Sequence, residues 1–390
     1  MLRQLKSVRC MASLLHPIRR DFSDSVFQSG FDSAAIKGDV GPAPTYRVPQ
    51  AKYGGITFVT LLTGQTIIGK QGASYMKGLL HSARVPVGMH QISDEQEADY
   101  FNSVLRNHAA VHIDIIHDAA EKRKALKICN DLDLYMFMTR IRTFPGFNCR
   151  FPDVDIQLIT QNNMGNYLEL EYSPVRGVVE ALRVVTEQGI DRVLRFAFEA
   201  TRRAKRKRMT LVHLRDEWPV TDGVMVDAAL QLQRCEYTDI EVEPLDLGEC
   251  VGRLILSPGC FDVLVTNDRY ATFMATICSA VCGGATLFSA VEIGDEHAVF
   301  KPLQTKLSLT NYQFLSPYGI ISTCVDLLYH LGHSACAEAM WTEMLRTMKD
   351  GVKTVEFGGR DTGEYVVCNL VNRLRCKRFG DKSTAEANNN

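Results

Sequence analysis

The sequence lacks any apolar run of the roughly 18–20 residues that a membrane-spanning helix needs. It also lacks an excess of positive charge, because 44 Lys and Arg residues stand against 45 Asp and Glu residues. This balance argues against nucleic acid as a general partner. The 12 cysteines have no regular spacing, which is typical of reduced core thiols and not of a disulfide framework. The hydrolase motifs G-x-S-x-G and H-E-x-x-H are absent.

What is present is a chain of 390 residues with an ordinary globular composition, long enough for two substantial lobes. Its first twenty residues contain no acid and five basic residues, Arg3, Lys6, Arg9, Arg19 and Arg20. An Arg-rich, acid-free and amphipathic composition predicts a mitochondrial transit peptide over residues 1–22; the alternative is a basic tail. Residues 23–50 mix Ser, Gly, Asp and Pro without a period, which predicts a flexible linker.

Periodicity predicts alternating strands and helices along the rest of the chain. Ile56–Leu62 is a short, β-branched apolar run and is predicted to be a buried strand. Helices are predicted over residues 72–84, 93–107, 173–188 and 190–205, the second with a capping box that begins at Ser93. The basic run Arg202–Arg208 is interpreted as the solvated end of the last of these helices.

The most informative stretch is Asp153–Tyr172, DVDIQLITQNNMGNYLELEY, which runs from a strand-like segment into a polar turn. It resembles the substrate-side segment of the isocitrate/isopropylmalate dehydrogenase family, above all the subunits of mitochondrial NAD-dependent isocitrate dehydrogenases. That segment reads close to D-[IV]-D-I-[LV]-[IT]-[VI]-R-E-N-T-E-G-E-Y in the family. Residues kept in this chain include Asp153, Asp155, Asn162, Gly165 and Tyr167.

Other motifs of the family follow in the same order. They are D-L-Y at 133–135, V-R-G-V-V-E-A-L at 175–182, D-G at 222–223, F-D-V-L-V at 261–265 and A-V-F at 298–300. The resemblance therefore covers roughly residues 56–378, and the collinear series is more specific than any single motif.

The loop that follows the first predicted strand has two interpretations. Read as G-x-x-x-x-G-K from Gly64 to Lys70, it approaches a phosphate-binding P-loop, although Gln71 replaces the Ser or Thr that would hold Mg²⁺. Read as a degenerate P-G-D-G-I-G-P-E, it matches the first strand–loop–helix of the dehydrogenase family. The order of the later motifs favours the second interpretation, and a P-loop-like nucleotide-binding protein stays an alternative.

The resemblance implies an α/β fold of the isocitrate/isopropylmalate dehydrogenase type with two lobes. Residues 51–150 and 290–378 would form a discontinuous large domain, and residues 151–289 a small domain that carries the dimerisation clasp. Residues 379–390 would be a disordered tail.

The charged groups that the family uses are replaced. Its three substrate Arg positions are Cys129, Thr139 and Thr160 here, and its metal-binding Asp positions are Gly248, Thr272 and Thr276. Its catalytic Lys and the following Asn align with Leu214 and Asp216, and Lys301–Ser308 replaces its cofactor segment. Tyr167 and Asn162 remain as remnants of the catalytic site. Arg140 and Arg142 are the candidate substitutes for the lost cations, but neighbours along a strand point to opposite faces.

These replacements predict a degenerate, non-catalytic subunit, regulatory or structural, of a mitochondrial-matrix NAD-dependent isocitrate dehydrogenase complex. Such a complex converts isocitrate to 2-oxoglutarate, CO₂ and NADH in the tricarboxylic acid cycle. We expect this chain to bind neither NAD nor the Mg²⁺ or Mn²⁺ that the family uses, and to form a heteromer with a catalytic subunit. A divergent β-decarboxylating dehydrogenase with an altered substrate is the alternative.

Overall fold

The computed structural model of the protein describes residues 52–64, 66–93, 97–114, 119–144, 149–307 and 316–376. Its framework, within these residues, is one mixed sheet of eleven strands, with a separate two-stranded hairpin. The strands are β1 (Lys52–Tyr53), β2 (Ile56–Thr63), β3 (Val87–Ser93), β4 (Ala109–Ile113), β5 (Met136–Arg142), β6 (Asp155–Gln161), β7 (Leu170–Val175), β8 (Val178–Leu182), β9 (Arg208–His213), β10 (Glu241–Asp246), β11 (Val263–Thr266), β12 (Ser289–Ile293) and β13 (Ala298–Pro302).

The order of strands in the large sheet is β1-β2-β4-β13-β12-β5-β6-β11-β9-β10, and β3 pairs with β2. Parallel pairs occupy both halves, from β3 through β2 and β4 to β13 and from β6 through β11 and β9 to β10. The halves are joined through antiparallel pairs of β13 with β12, β12 with β5 and β5 with β6. Buried parallel strands need helices on their faces, which agrees with the α/β fold expected from the sequence.

Eleven α-helices lie within the described residues. They are α1 (Ile67–Ser82), α2 (Glu97–Asn107), α3 (Ala119–Asp131), α4 (Glu187–Arg203), α5 (Thr221–Cys235), α6 (Leu247–Leu256), α7 (Asp268–Val281), α8 (Leu303–Lys306), α9 (Pro317–His330), α10 (Ser334–Lys349) and α11 (Gly363–Cys376). Helices α1, α9, α10 and α11 pack together beside the first half of the sheet, whereas α4 packs on α5 and α6 on α7 beside the second half. None of the helices that the structure describes is long and apolar enough to cross a membrane.

Local sequence explains where several helices begin. Thr66, Thr186 and Asn267 have extended backbones, and their side chains accept hydrogen bonds from amides of the first turns of α1, α4 and α7. Such N-caps satisfy amides that would otherwise lack a partner within the helix. Helix α9 instead starts with Pro317, whose fixed φ and missing N–H suit the first helical position.

The prediction of a helix over residues 173–188 is wrong. These residues form the end of β7, a turn at Gly177 with φ +87°, and β8, and α4 begins only at Glu187. The V-x-G-V-V sequence favours strands through its β-branched residues, and glycine permits the left-handed turn. All residues of both strands are exposed. The spacing of their apolar residues therefore does not reflect a buried helical face, on which the helix prediction relied.

Two further local predictions are corrected. Ser93 ends strand β3 and does not cap α2, which begins at Glu97. The run Arg202–Arg208 is only partly a solvated helix end. Helix α4 ends at Arg203, but the side chain of Arg206 is 9% exposed and donates to the backbone carbonyl of Asp262 at 2.5 Å. The predicted transit peptide, linker and C-terminal tail lie outside the described residues.

Candidate functional site

The pairing of β5 with β6 decides which side chains share a face of the sheet. Phe137 lies opposite Thr160, and Thr139 lies opposite Leu158. Residues directly opposite each other in an antiparallel pair point to the same side, and alternate residues along one strand do so as well. These four residues therefore share one face, called here the cleft face. Two of the family's three substrate Arg positions, Thr139 and Thr160, lie on it.

The candidate substitutes Arg140 and Arg142 do not reach this face. Arg140 lies opposite Gln157, on the other side of the sheet, which we call the back face. Its guanidinium binds the Asp155 carboxylate with two hydrogen bonds, of 2.9 and 2.8 Å. The guanidinium of Arg142 stacks on Trp341, 3.5 Å from the ring centroid. Neither cation can replace a lost arginine of the cleft face.

Cys129, Thr139 and Thr160, which the sequence aligns with the family's substrate arginines, are buried and carry no charge. The Thr139 hydroxyl donates to the backbone carbonyl of Ser289 at 2.7 Å. Thr160 is fully buried, and within the described residues its hydroxyl has no hydrogen-bond partner. Burial raises the pKa of the Cys129 thiol to about 12, so Cys129 is neutral at physiological pH. These positions cannot hold carboxylates as arginines do.

A buried ion network occupies this region instead. Glu292 of β12 accepts hydrogen bonds from Lys301 at 2.6 Å and from Lys306 at 2.5 Å. The three side chains are 6%, 7% and 14% exposed, respectively. Burial by itself would raise the pKa of Glu292, but the two ammonium groups hold it well below its usual range. Glu292 is therefore ionised, and two cations minus one anion leave one surplus positive charge.

Both catalytic remnants lie against this network. The Lys306 ammonium donates to the side-chain oxygen of Asn162 at 2.6 Å and lies 5.5 Å from the ring centroid of Tyr167. The Asn162 amide nitrogen donates to the Cys129 sulfur at 2.8 Å and to the Leu134 carbonyl at 3.0 Å. Burial raises the pKa of Tyr167, which keeps the phenol neutral. Asn162 is thus fully engaged inside the protein and not available to a substrate.

The segment that replaces the family's cofactor loop is packed into the core. It forms the end of β13 and the short helix α8, in which Leu303, Gln304 and Thr305 are buried. It supplies both lysines of the network, and Ser308 lies outside the described residues. A loop that seats a dinucleotide would need accessible backbone and polar groups, and these buried residues do not offer them.

The positions that the sequence aligns with the family's metal-binding Asp residues carry no carboxylates here. Gly248 lies in the first turn of α6, and Thr272 and Thr276 lie one turn apart on α7, where the Thr276 hydroxyl donates to the Thr272 carbonyl. Asp246, at the end of β10, caps α6 by accepting from the Gly248 amide at 2.8 Å. Within the described ranges, no three His, Cys, Asp or Glu residues are close enough to hold a metal ion. The residues present do not fit the oxygen-ligand cage of Mg²⁺ or Mn²⁺.

Sequence reasoning missed a second ion cluster at the base of the β7–β8 hairpin. Arg183 follows β8, and its guanidinium lies 2.5 Å from the Asp268 carboxylate and 3.7 Å from that of Asp222. Asp222 also accepts from the Leu214 amide at 2.9 Å and from the Tyr270 hydroxyl at 3.1 Å. Leu214, at the family's catalytic Lys position, thus contributes only its backbone, and Asp216 is exposed in a turn. The cluster fixes the hairpin to α5 and α7.

The proposed P-loop does not form a phosphate cradle. Helix α1 already begins at Ile67, so Lys70 lies on the helix, where it is exposed. The Gly69 amide is engaged by the Thr66 hydroxyl, which itself donates to Asp114. A P-loop needs these amides free to bind phosphate oxygens.

Comparison with known proteins assigns the family. The family model described as isocitrate/isopropylmalate dehydrogenase matches residues 104–382, well over half of the chain. The chain belongs to the isocitrate/isopropylmalate dehydrogenase family.

Similar curated proteins of this family are named as mitochondrial subunits. The chain is 28% identical to isocitrate dehydrogenase [NAD] subunit 1, mitochondrial, of Saccharomyces cerevisiae, over 85% of this chain and 95% of that protein. It is 27% identical to the human isocitrate dehydrogenase [NAD] subunit gamma, mitochondrial, over 84% and 86%. It is also 27% identical to a mitochondrial isocitrate dehydrogenase [NAD] subunit of Dictyostelium discoideum that is named as regulatory, over 78% and 87%.

Solved structures support the same fold. The isocitrate dehydrogenase of Methylococcus capsulatus superposes with a TM-score of 0.73 at 22% identity, over 82% of this chain and 99% of that chain. The TT0538 protein of Thermus thermophilus gives a TM-score of 0.76 at 20% identity, over 83% and 69%. The α/β fold expected from the sequence motifs is confirmed.

Proposed function

We propose that this chain is a non-catalytic subunit of the mitochondrial NAD-dependent isocitrate dehydrogenase complex, acting by association with a catalytic subunit in the matrix. The observation that carries the proposal is the buried Lys301–Glu292–Lys306 network, which lies against Asn162. The three aligned arginine positions are uncharged, and the cations of the network already bind an internal carboxylate. The names of the relatives, including gamma and regulatory subunits, support a subunit role.

Energetics favour loss of substrate binding. Each charge-assisted hydrogen bond to a carboxylate contributes about 1.5–3 kcal/mol, so losing even two weakens binding by roughly two to four decades. The metal positions lack carboxylates, and the cofactor segment is buried. Substrate, metal and dinucleotide binding are lost together, which points away from an enzyme with a single altered contact.

The β7–β8 hairpin is the surface that we assign to subunit association. It lies within residues 151–289, the proposed small domain, and is the proposed clasp. Its exposed apolar side chains include Leu170, Val175, Val178 and Leu182, which share one face because Leu170 pairs with Leu182 and Val175 pairs with Val178. A contiguous exposed apolar patch is typical of a protein–protein interface. A two-stranded hairpin by itself gains little stability in water, so a partner strand would stabilise it.

Co-purification tests the proposal. The tagged full chain, expressed in mitochondria, should recover a catalytic isocitrate dehydrogenase subunit in stoichiometric amount. Val175→Asp should lose that subunit, since Val175 is 61% exposed and the charge lies on the apolar face that it shares with Val178. Val355→Asp is the matched control, because Val355 is 75% exposed but lies outside the hairpin. If the unaltered chain recovers no isocitrate dehydrogenase subunit, the proposal is wrong.

A further inference from the structure

A cavity lies on the back face of the sheet, opposite the cleft face. Its volume is about 350 Å³, within the range of about 300–1,000 Å³ that is usual for small-molecule pockets. It lies between α4 and α9, above strands β5, β6, β12 and β13. None of the family's substrate, metal or cofactor positions, apart from Thr139 at its edge, contributes to its wall.

The floor of this back-face cavity is apolar. Met138, Val291, Ile293 and Phe300 project from the strands, and Ala200 of α4 closes one side. Burying an apolar ligand group against such a floor removes apolar surface from water, which favours binding. The floor therefore fits the apolar body of a ligand.

The rim of the cavity is cationic. It is lined by the guanidinium-bearing side chains of Arg140, Arg203 and Arg206. Arg140 and Arg206 share the Asp155 carboxylate, at 2.8 Å in each ion pair, and Arg206 also lies 3.5 Å from the Asp262 carboxylate. Guanidinium groups bind carboxylate and phosphate oxygens with well-defined geometry. The rim therefore fits an anionic head group.

Two polar side chains on the wall, the buried Gln157 and the half-buried Asp326, offer further contacts. The Gln157 amide donates to the Met138 sulfur at 3.0 Å, and a thioether is a weak acceptor. Asp326 accepts from the Ser289 hydroxyl, and burial raises the pKa of its carboxyl. A ligand oxygen would be a better acceptor for Gln157 than sulfur is.

We infer that the back-face cavity binds a small organic anion that carries one carboxylate or phosphate head group on an apolar body. The arginines of the rim hold the head group, and the floor formed by β5, β12 and β13 takes the body. Inorganic phosphate has no apolar group to place on the floor, and a volume of about 350 Å³ is too small for a macromolecule. The site is independent of the proposed subunit role.

Calorimetric titration of the full chain tests the inference with octanoate and octyl phosphate as probes. At least one should bind, and octan-1-ol and inorganic phosphate should each bind at least ten-fold more weakly. Arg203→Gln removes one rim cation, and Ala204→Trp fills the mouth from an exposed position. Each should weaken probe binding at least ten-fold.

The matched control is Arg202→Gln. It removes the same charge one residue away, from an arginine that pairs with Asp239 and does not line the cavity, and should leave binding unchanged. Circular dichroism of each variant verifies that it is folded. No binding of either probe would overturn the inference. So would equal binding of octan-1-ol, or probe binding that Ala204→Trp leaves intact.

Discussion

Removing the carboxylate of Glu292 leaves two ammonium groups buried without a counter-charge. Lys301 and Lys306 lie 2.6 and 2.5 Å from it, and all three side chains are at most 14% exposed. Removing one partner of a buried ion pair typically costs about 3–5 kcal/mol, because the other charge stays desolvated. We therefore expect Glu292→Gln to lower the free energy of unfolding by about that amount.

Lys306→Met should cost much less. It breaks the hydrogen bonds of Lys306 to Glu292 and Asn162, but it leaves Lys301 and Glu292 as a neutral pair and removes the surplus buried charge. Relief of the desolvation penalty offsets most of the lost bonds, so a net loss of about 2 kcal/mol or less is expected. The expected losses of stability of Glu292→Gln and Lys306→Met therefore differ because of the net charge that each variant leaves in the network, and not because of the size of the new side chain.

Urea unfolding monitored by circular dichroism measures this asymmetry. With a urea m-value of about 3 kcal/mol per M, a loss of 4 kcal/mol lowers the urea midpoint by about 1.3 M. Lys77→Met is the control, because Lys77 is an exposed lysine that bonds Gln91 and should shift stability by no more than about 0.5 kcal/mol. Equal midpoints for Glu292→Gln and Lys306→Met, or a larger loss for Lys306→Met, would refute the reasoning.

Two further predictions concern buried charge. Burial, with Lys301 nearby, lowers the pKa of His112 to about 3, below the unfolded value of about 6.5, so the unfolded state binds the extra proton and stability falls as pH drops from 6.5 toward 3. Between pH 6 and pH 4, the free energy of unfolding of His112→Asn should fall by about 1.4 kcal/mol less per pH unit than that of the unaltered chain. Parallel plots of the free energy of unfolding against pH would contradict this. Arg183→Met leaves Asp222 and Asp268 buried without their shared cation, so urea unfolding should show a loss of about 3–5 kcal/mol, and a loss below about 1 kcal/mol would show that the cluster is not stabilising.

Much of the fold was predictable because it depends on short apolar patterns and ordered motifs. The strand predicted at Ile56–Leu62 is β2, and the helix predicted over residues 72–84 lies largely in α1. The hairpin was not predictable from period alone, since its apolar residues face solvent and not a core. The spacing of these apolar residues does not indicate a buried side of the strands. Gly177 indicates a turn, but it does not determine the type of turn.

The sequence predicted which charged groups of the site are lost, but it did not predict the ion network that is found there. The assignment of Cys129, Thr139 and Thr160 as uncharged replacements of substrate arginines stays a prediction. That Glu292 meets Lys301 and Lys306 depends on strand pairing between β12 and β13 and on the turn into α8. A charged residue inside the apolar run SAVEI was the available signal, because a buried carboxylate requires a partner. Sequence did not identify which lysines would supply it.

The most direct test of the central claim is turnover by the isolated chain. Purified protein at micromolar concentration, with isocitrate, NAD⁺ and Mg²⁺ or Mn²⁺, should form no NADH above the rate of Tyr167→Phe, as followed by absorbance. Tyr167→Phe is the control because Tyr167 is the remaining residue that matches the family's catalytic tyrosine. An equal, background rate for both proteins is the predicted result. NADH formation by the unaltered chain that Tyr167→Phe abolishes would contradict the account, because the site would then still be catalytic.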